Sequence, residues 1–182
     1  RSRSCATRDR STSATAPIVV TSAATLVTQT TAQLNGTVNP NNDATTYYFQ
    51  YGLTASYGTN TATQNAGIGI VAVAESTSIS GLITGTTYHY RIAATNSGGT
   101  SYGHDNTFTT LPGNPNLSLP ANNAPGVSLN PTLSWIASIG AASYALQVST
   151  DSLFGGGFAF NDSGLTSTSK AISGLLASTT YY

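Results

Sequence analysis

The chain has 182 residues, of which 7% are charged, and six Lys and Arg balance six Asp and Glu. An average globular protein carries about 25% charged residues, and a nucleic-acid-binding protein needs clustered cations to neutralise phosphates. The composition therefore argues against nucleic acid as a partner. Ten Tyr and five Phe, with many aliphatic residues, supply enough apolar surface for a core and argue against intrinsic disorder.

The few charges are unevenly distributed along the chain. The first ten residues hold four arginines against Asp9 and carry a net charge of +3. From residue 11 onward, the chain has two basic residues, Arg91 and Lys170, and five acidic residues, so the net charge of this part is −3. Residues 1–15 show no apolar periodicity, which predicts a flexible basic arm ahead of a sparsely charged body.

Processing and membrane signals are sparse. Cys5 is the only cysteine, so neither an internal disulfide nor a cysteine-based metal site is expected, and its role stays open. The longest apolar run, residues 68–74, is interrupted by Gly69 and is far shorter than the ~18–20 residues of a membrane span. No signal-peptide core precedes residue 17, and Met is absent even at position 1, so the sequence reads as a processed or partial product.

From Ala16 the pattern changes to short runs in which apolar and polar residues alternate between turn residues. No window shows apolar residues at helical spacing. Many short strands at this spacing predict an all-β sandwich or barrel. The clearest runs are 31–38, 45–51, 71–80, 86–96 and 100–110.

The second half of the chain repeats the first. Residues 131–135 correspond to 31–34, and residues 143–148 correspond to 46–51. An offset of about one hundred residues indicates two tandem copies of one domain. We expect the arm at 1–15, the first domain at 16–111 and the second at 112–182, joined through a segment with Pro112 and Pro115.

These residues resemble the fibronectin type III domain, especially copies from secreted and surface proteins of bacteria, over roughly residues 16–182. Gly81-Leu82 followed by Thr86–Asn96 is similar to that family's E–F corner and strand F. Trp135 resembles its strand-B tryptophan, although the first unit has Leu34 there. The resemblance implies two immunoglobulin-like sandwiches, with Tyr88 as a corner tyrosine that bonds backbone upstream. The expected core residues are Leu34, Tyr47, Phe49, Leu82, Tyr88, Tyr90, Ile92, Trp135, Tyr144 and Leu146.

The second copy is expected to be incomplete. Tyr182 aligns with His89, so most of strand F, the F–G loop and strand G have no counterpart. One interpretation is that the chain or its recorded part simply ends there. The other is that a further subunit donates a strand, for which a downstream segment is a better donor than residues 1–15.

The sequence contains no recognisable catalytic or metal-binding motif, so we expect neither an enzyme nor a cofactor. Only His89 and His104 could serve as a base, and no Gly-x-Ser-x-Gly elbow is present. His104 and Asp105 are neighbours in sequence, so in a strand they would point to opposite faces. The acids are scattered, and no calcium, zinc or phosphate-binding motif occurs.

Tyr48, Tyr57 and Tyr102 are the candidates for an outward aromatic surface that binds carbohydrate or a partner. The competing interpretation is that they are ordinary isolated surface aromatics.

We therefore expect a non-catalytic extracellular or cell-surface module with a structural or adhesive role. Protein partners or self-association are expected, including a surface fibre assembled by sharing strands between subunits. The alternative is a spacer or carbohydrate-binding module of a larger secreted polysaccharide-degrading enzyme.

Overall fold

A computed structural model describes residues 14–182. Those residues form fourteen strands and no helix, and the strands pair antiparallel, which confirms the all-β expectation. The chain divides into two compact units. The described part of the first comprises residues 14–82 and 87–110, and the second comprises 83–86 and 111–182. Cys5 and most of the predicted arm lie outside the described residues.

The first unit is a sandwich of two sheets. One sheet has the order β1–β2–β6. The other has the order β4–β3–β7–β8, with β5 also paired to β3 and β9 to β7. The strands are β1 (Ile18–Thr25), β2 (Thr31–Asn39), β3 (Thr45–Gly52), β4 (Thr59–Asn60), β5 (Gln64–Gly67), β6 (Val73–Ser80), β7 (Thr87–Asn96), β8 (Gly99–Tyr102) and β9 (Asn106–Thr109).

Strand β2 shows how the sequence produces this sandwich. Its even-numbered residues from Ala32 to Val38 are buried, and the odd-numbered residues between them are half-buried. The strand ends before Pro40, which has no backbone N–H to donate. Asn41 and Asn42 follow with φ of 55° and 63°, a region that Asn tolerates better than most residues. The turn residues therefore end the strand where the sequence predicted.

The core of the first unit lies between the two sheets. Phe49 pairs with Ile92 and Tyr51 with Tyr90 across β3 and β7, so the inward side chains of the two central strands lie side by side. The alternating pattern of β2, β3 and β7 supplies most of this core. Its buried members include Leu34, Val38, Tyr47, Phe49, Leu82, Tyr88, Tyr90, Ile92 and Phe108.

Tyr90 connects the two sheets directly. Its ring is fully buried, and its hydroxyl donates a hydrogen bond of 2.6 Å to the carbonyl oxygen of Ser22 on β1. Burial raises the pKa of Tyr90, which keeps the hydroxyl protonated and able to donate. Tyr88 stacks on Phe108 with ring centroids 5.7 Å apart, and its role as a corner tyrosine stays a prediction.

The sequence pattern suggested one strand over residues 100–110, but the structure divides it into β8 and β9. Both strands pair with β7. Between them the Gly103 N–H donates to the Ile92 carbonyl oxygen at 2.8 Å. A side chain at Gly103 would overlap the hydroxyl of Thr21 and lie 2.9 Å from its backbone nitrogen. The strand breaks there because β1 passes too close for a continuous, side-chain-bearing strand.

The second unit contains a smaller core. One sheet has the order β10–β11–β14, and β12 pairs with β13. Trp135, Leu146, Val148 and Ile172 are buried, and half-buried Tyr144 meets Trp135 at a ring distance of 5.5 Å. The strands are β10 (Asn116–Leu119), β11 (Thr132–Ile136), β12 (Tyr144–Ser149), β13 (Phe158–Leu165) and β14 (Ser169–Ala171).

The last residue continues the internal repeat. Ser149 and Tyr182 exchange two backbone hydrogen bonds of 3.0 and 2.8 Å. In the first unit, Gly52 and His89 occupy the corresponding positions and also pair, on β3 and β7. Tyr182 therefore lies beside β12 as the start of β7 lies beside the end of β3.

The Tyr90 bridge leads to a stability prediction. We expect Tyr90→Phe, which removes only the hydroxyl, to lower the free energy of unfolding by about 1 kcal/mol. Tyr90→Ala should cost about 3–5 kcal/mol because it also leaves a cavity. Urea unfolding followed by tyrosine fluorescence measures both. Ser78→Ala, an exposed strand position, serves as the control and should change stability by less than about 0.5 kcal/mol.

Trp135 is the chain's only tryptophan and lies in the second unit, so its fluorescence separates the two units in that experiment. A neutral Tyr90→Ala variant would contradict the inward assignment of β7.

Candidate binding surface

The outer face of the larger sheet in the first unit brings several candidate residues together. Tyr48, Ala93 and Tyr102 are in register across β3, β7 and β8 and form one row. Gln50 and Arg91 form the next row across β3 and β7. Side chains in one row of an antiparallel sheet lie close enough to interact, and those of adjacent rows contact each other when they are long.

Arg91 is the centre of this group. Its guanidinium carbon lies 4.7 Å from the ring centroid of Tyr57 and 4.2 Å from that of Tyr102. Both distances are within the range of a cation–π interaction. The Nε–H of Arg91 donates a 2.8 Å hydrogen bond to Oε1 of Gln50. We call Tyr48, Gln50, Tyr57, Arg91 and Tyr102 the tyrosine–arginine surface.

Small residues lie beneath the large ones. Ala93 is fully buried although it is on the outer face of the sheet. Because its row partners are Tyr48 and Tyr102, its methyl group forms the floor between two aromatic side chains. A larger residue at this position would lift those rings from the sheet.

Tyr57 reaches the surface through a turn after β3. Its backbone N–H donates to the Thr54 carbonyl oxygen at 2.9 Å, and its φ is 61°, an uncommon value for a residue other than glycine. The Tyr57 carbonyl lies over Gly52, where a Cβ would coincide with it. Glycine at position 52 is therefore required for this position of Tyr57.

A histidine–aspartate pair borders the surface. Nδ1 of His89 lies 2.7 Å from Oδ2 of Asp105, and both side chains are about one-third exposed (31% and 35%). Burial raises the pKa of Tyr57, the Asp105 carboxylate raises it further, and Arg91 acts in the opposite direction. Burial also raises the pKa of Tyr48, with Tyr102 adding to the effect and Arg91 opposing it. Both hydroxyls therefore remain protonated donors at neutral pH.

The structure thus gathers the three tyrosines that the sequence singled out around one arginine. The sequence pattern did not indicate that Gln50, Gly52 or Arg91 contributes to this surface. The available signal was that Arg91 is the only Lys or Arg between residues 11 and 169. The sequence predicted that His104 and Asp105 point to opposite faces and do not cooperate; in the structure, Asp105 contacts His89 of β7.

Within residues 14–182, metal-ligating side chains do not cluster. No group of three or more His, Cys, Asp or Glu side chains in this part of the chain could hold a metal ion. No helix long and apolar enough to span a membrane occurs in the same residues. In the second unit, Nζ of Lys170 lies 2.7 Å from Oδ2 of Asp162, where it lowers the carboxyl pKa; both side chains are 36% exposed.

Comparisons with known proteins give similarities in fold. No protein-family model and no curated protein matches the chain. The sensor domain of the anti-sigma factor RsgI4 from Pseudobacteroides cellulosolvens matches with 19% identity and a TM-score of 0.42, over 52% of this chain and 94% of that one. Its solution structure matches with 21% identity and a TM-score of 0.41, over 52% and 74%.

The first three fibronectin type III domains of chicken CNTN1 match over 92% of this chain and 60% of that one. The identity is 13% and the TM-score is 0.32. At these values the similarities concern the fold alone. The fold defines the class as an antiparallel all-β protein whose first unit is a two-sheet sandwich with a polar aromatic surface.

The stacking of Arg91 can be measured by a double-mutant cycle. We expect Arg91→Gln and Tyr102→Ala to show a coupling free energy of about 0.5–1 kcal/mol, the value typical of an exposed cation–π pair. Urea unfolding of the wild type, both single variants and the double variant provides it. The control cycle pairs Arg91→Gln with Tyr182→Ala in the second unit, where the effects should add. Additive effects in the Arg91–Tyr102 cycle would show that the two groups do not stack in solution.

Proposed function

We propose that this protein is a non-catalytic extracellular adhesive module that contacts carbohydrate through the tyrosine–arginine surface. The observation that carries this proposal is the assembly of three tyrosines around Arg91 on an open sheet face. In finer detail, we propose two tandem sandwiches of the fibronectin type III kind, the second without its last strands.

The geometry favours binding over catalysis. Tyr48, Gln50 and Arg91 are on the two central strands of a sheet whose opposite face is the core, so the backbone beneath them is rigid. Tyrosine and arginine provide amphipathic contact area with polar tips. The nearby His89–Asp105 pair orients a histidine, but a hydrolase of this type also needs a nucleophile next to the base, and none was identified there.

The composition supports an extracellular setting. About half of the exposed strand positions in the first unit are Thr or Ser, and from residue 11 to the end the chain has only Arg91 and Lys170 as trypsin sites. Arg91 lies on β7, which is paired on both sides by β3 and β8 or β9. A protein with few, well-protected cleavage sites suits an environment that contains proteases.

Binding to insoluble polysaccharide tests the adhesive role. We expect the full chain to be retained on insoluble polysaccharide, and Tyr57→Ala and Tyr102→Ala each to reduce the retained fraction at least about tenfold, as loss of a central aromatic does. Tyr182→Ala removes an exposed tyrosine from the second unit and serves as the matched control. Equal retention of all four proteins, or retention of none across a panel of polysaccharides, would overturn the proposal.

A second candidate role is assembly into a fibre by strand sharing. Among the described residues, one edge of β12 pairs with β13. At its other edge, the backbone of Ser149 is hydrogen-bonded to that of Tyr182. Gln147 is two residues from Ser149 and presents its backbone N–H to the same edge. An added strand would extend that edge and cover the small core around Trp135.

Gln147→Pro tests strand addition because it removes that N–H while leaving Leu146 and Val148 to bond β13. We expect the wild type to form polymers visible by electron microscopy without ligand, and the proline variant to form few. Gln147→Ala, which keeps the N–H, is the control. A wild-type chain that sediments as a monomer at high concentration would exclude this role for the 182-residue chain.

The proposed module also fits as a carbohydrate-binding or spacer part of a larger secreted polysaccharide-degrading enzyme. That alternative uses the same surface.

A further inference from the structure

We propose that the tyrosine–arginine surface recognises carboxylate-bearing sugars, with Arg91 binding the carboxylate of a uronic acid unit in a polysaccharide. This inference rests on the proposed carbohydrate-binding function and specifies its ligand class.

Within residues 14–182, the Arg91 guanidinium uses only part of its hydrogen-bonding capacity. A guanidinium has five N–H donors, and the hydrogen bond to Gln50 uses the one on Nε. Within residues 14–182, no carboxylate lies within ion-pair distance of Arg91, since the ion pairs there are His89–Asp105 and Lys170–Asp162. Gln50 is a neutral acceptor, so no carboxylate in this part of the chain bonds directly to Arg91; Asp105 acts on the Tyr57 hydroxyl beside it.

Neighbouring side chains hold Arg91 in place. The guanidinium carbon of Arg91 lies 4.7 and 4.2 Å from the ring centroids of Tyr57 and Tyr102, so the two rings cover part of the guanidinium. The two terminal nitrogens of Arg91 have no hydrogen-bond partner within residues 14–182, so they can bind a ligand. A planar carboxylate fits these two nitrogens with two parallel hydrogen bonds. The rings and Gln50 also hold the side chain in place, which reduces the entropy lost on binding.

The face around Arg91, on the outside of the larger sheet, is polar. By register, its other side chains are hydroxyls, amides or imidazole, and Ala93 is its only aliphatic residue. The core of a protein–protein interface is more apolar than this. Sugars instead need aromatic surface for their C–H faces and many small polar partners. The flanking polar residues are Thr46, Asn60, Thr87, His89, Thr95, Thr100, Thr107 and Thr109.

Few acidic side chains lie near the positive charge of Arg91. Asp105 is the acid near the surface, and His89 contacts it at 2.7 Å. Asp43 lies at the other end of β3 and bonds Ser97, beyond the screening length of about 8 Å at physiological ionic strength. Arg91 is thus a local cation on a body that is acidic as a whole, with Asp105 at the border of the surface. The interaction with an anionic polymer should weaken as salt is added.

The test compares polygalacturonate with its methyl ester, which has the same sugar backbone but blocked carboxylates. We expect isothermal titration to show binding of the wild type to polygalacturonate and at least tenfold weaker binding to the ester. Arg91→Gln should abolish that preference, and Arg91→Lys, which keeps the charge but not the planar fork, should retain only part of it.

The matched control is Lys170→Gln, which removes the same charge from the second unit and should change neither affinity. Because the ester comparison uses the unmodified protein, it remains informative even if a variant at Arg91 folds poorly.

The outcomes separate this inference from the proposed function. Equal binding of acid and ester, or unchanged selectivity in Arg91→Gln, overturns the carboxylate inference while leaving carbohydrate binding intact. Binding of neither polymer, together with retention on other insoluble polysaccharides, also overturns the carboxylate inference alone. No retention on any polysaccharide overturns the proposed function as well.

Discussion

The pairing register of β3 and β7 determines both what the first sandwich buries and what it displays. Phe49 and Ile92 lie in the core in the same register that places Gln50 and Arg91 on the outer face. A shift of β7 by one residue against β3 would place Arg91 on the inner face, beside Phe49. An unpaired guanidinium is too costly to bury in an apolar core, so core packing excludes that alternative. The candidate binding residues thus owe their positions to side chains that no ligand would touch.

Local alternation made much of the fold predictable. It predicted the all-β class and the inward faces of β2, β3 and β7, because the side-chain period of a strand is a property of consecutive residues. The split between β8 and β9 was not predictable, since it depends on how closely β1 passes Gly103. The meeting of Tyr57 and Tyr102 at Arg91 also depends on a turn conformation and on the β7–β8 register. Pairing between distant segments is not contained in the local pattern.

The second unit shows that the surface is not a requirement of the fold. In the internal repeat, Gln147 corresponds to Gln50, but Ala145 corresponds to Tyr48. The inward positions keep their apolar character, with Tyr144 and Leu146 in place of Tyr47 and Phe49. The repeated strand therefore preserves its buried face and not its exposed one. The aromatic residues on the outer face of the first unit are therefore not required by the fold, which is consistent with the proposed binding role.

Gly52 and Ala93 set the shape of the surface without belonging to it. One lets the Tyr57 backbone pass and the other is the floor between Tyr48 and Tyr102. Neither could contact a bound sugar, yet any added atom at either position moves an aromatic ring. A substitution that enlarges either small residue would therefore change the surface without altering any side chain that a ligand could touch.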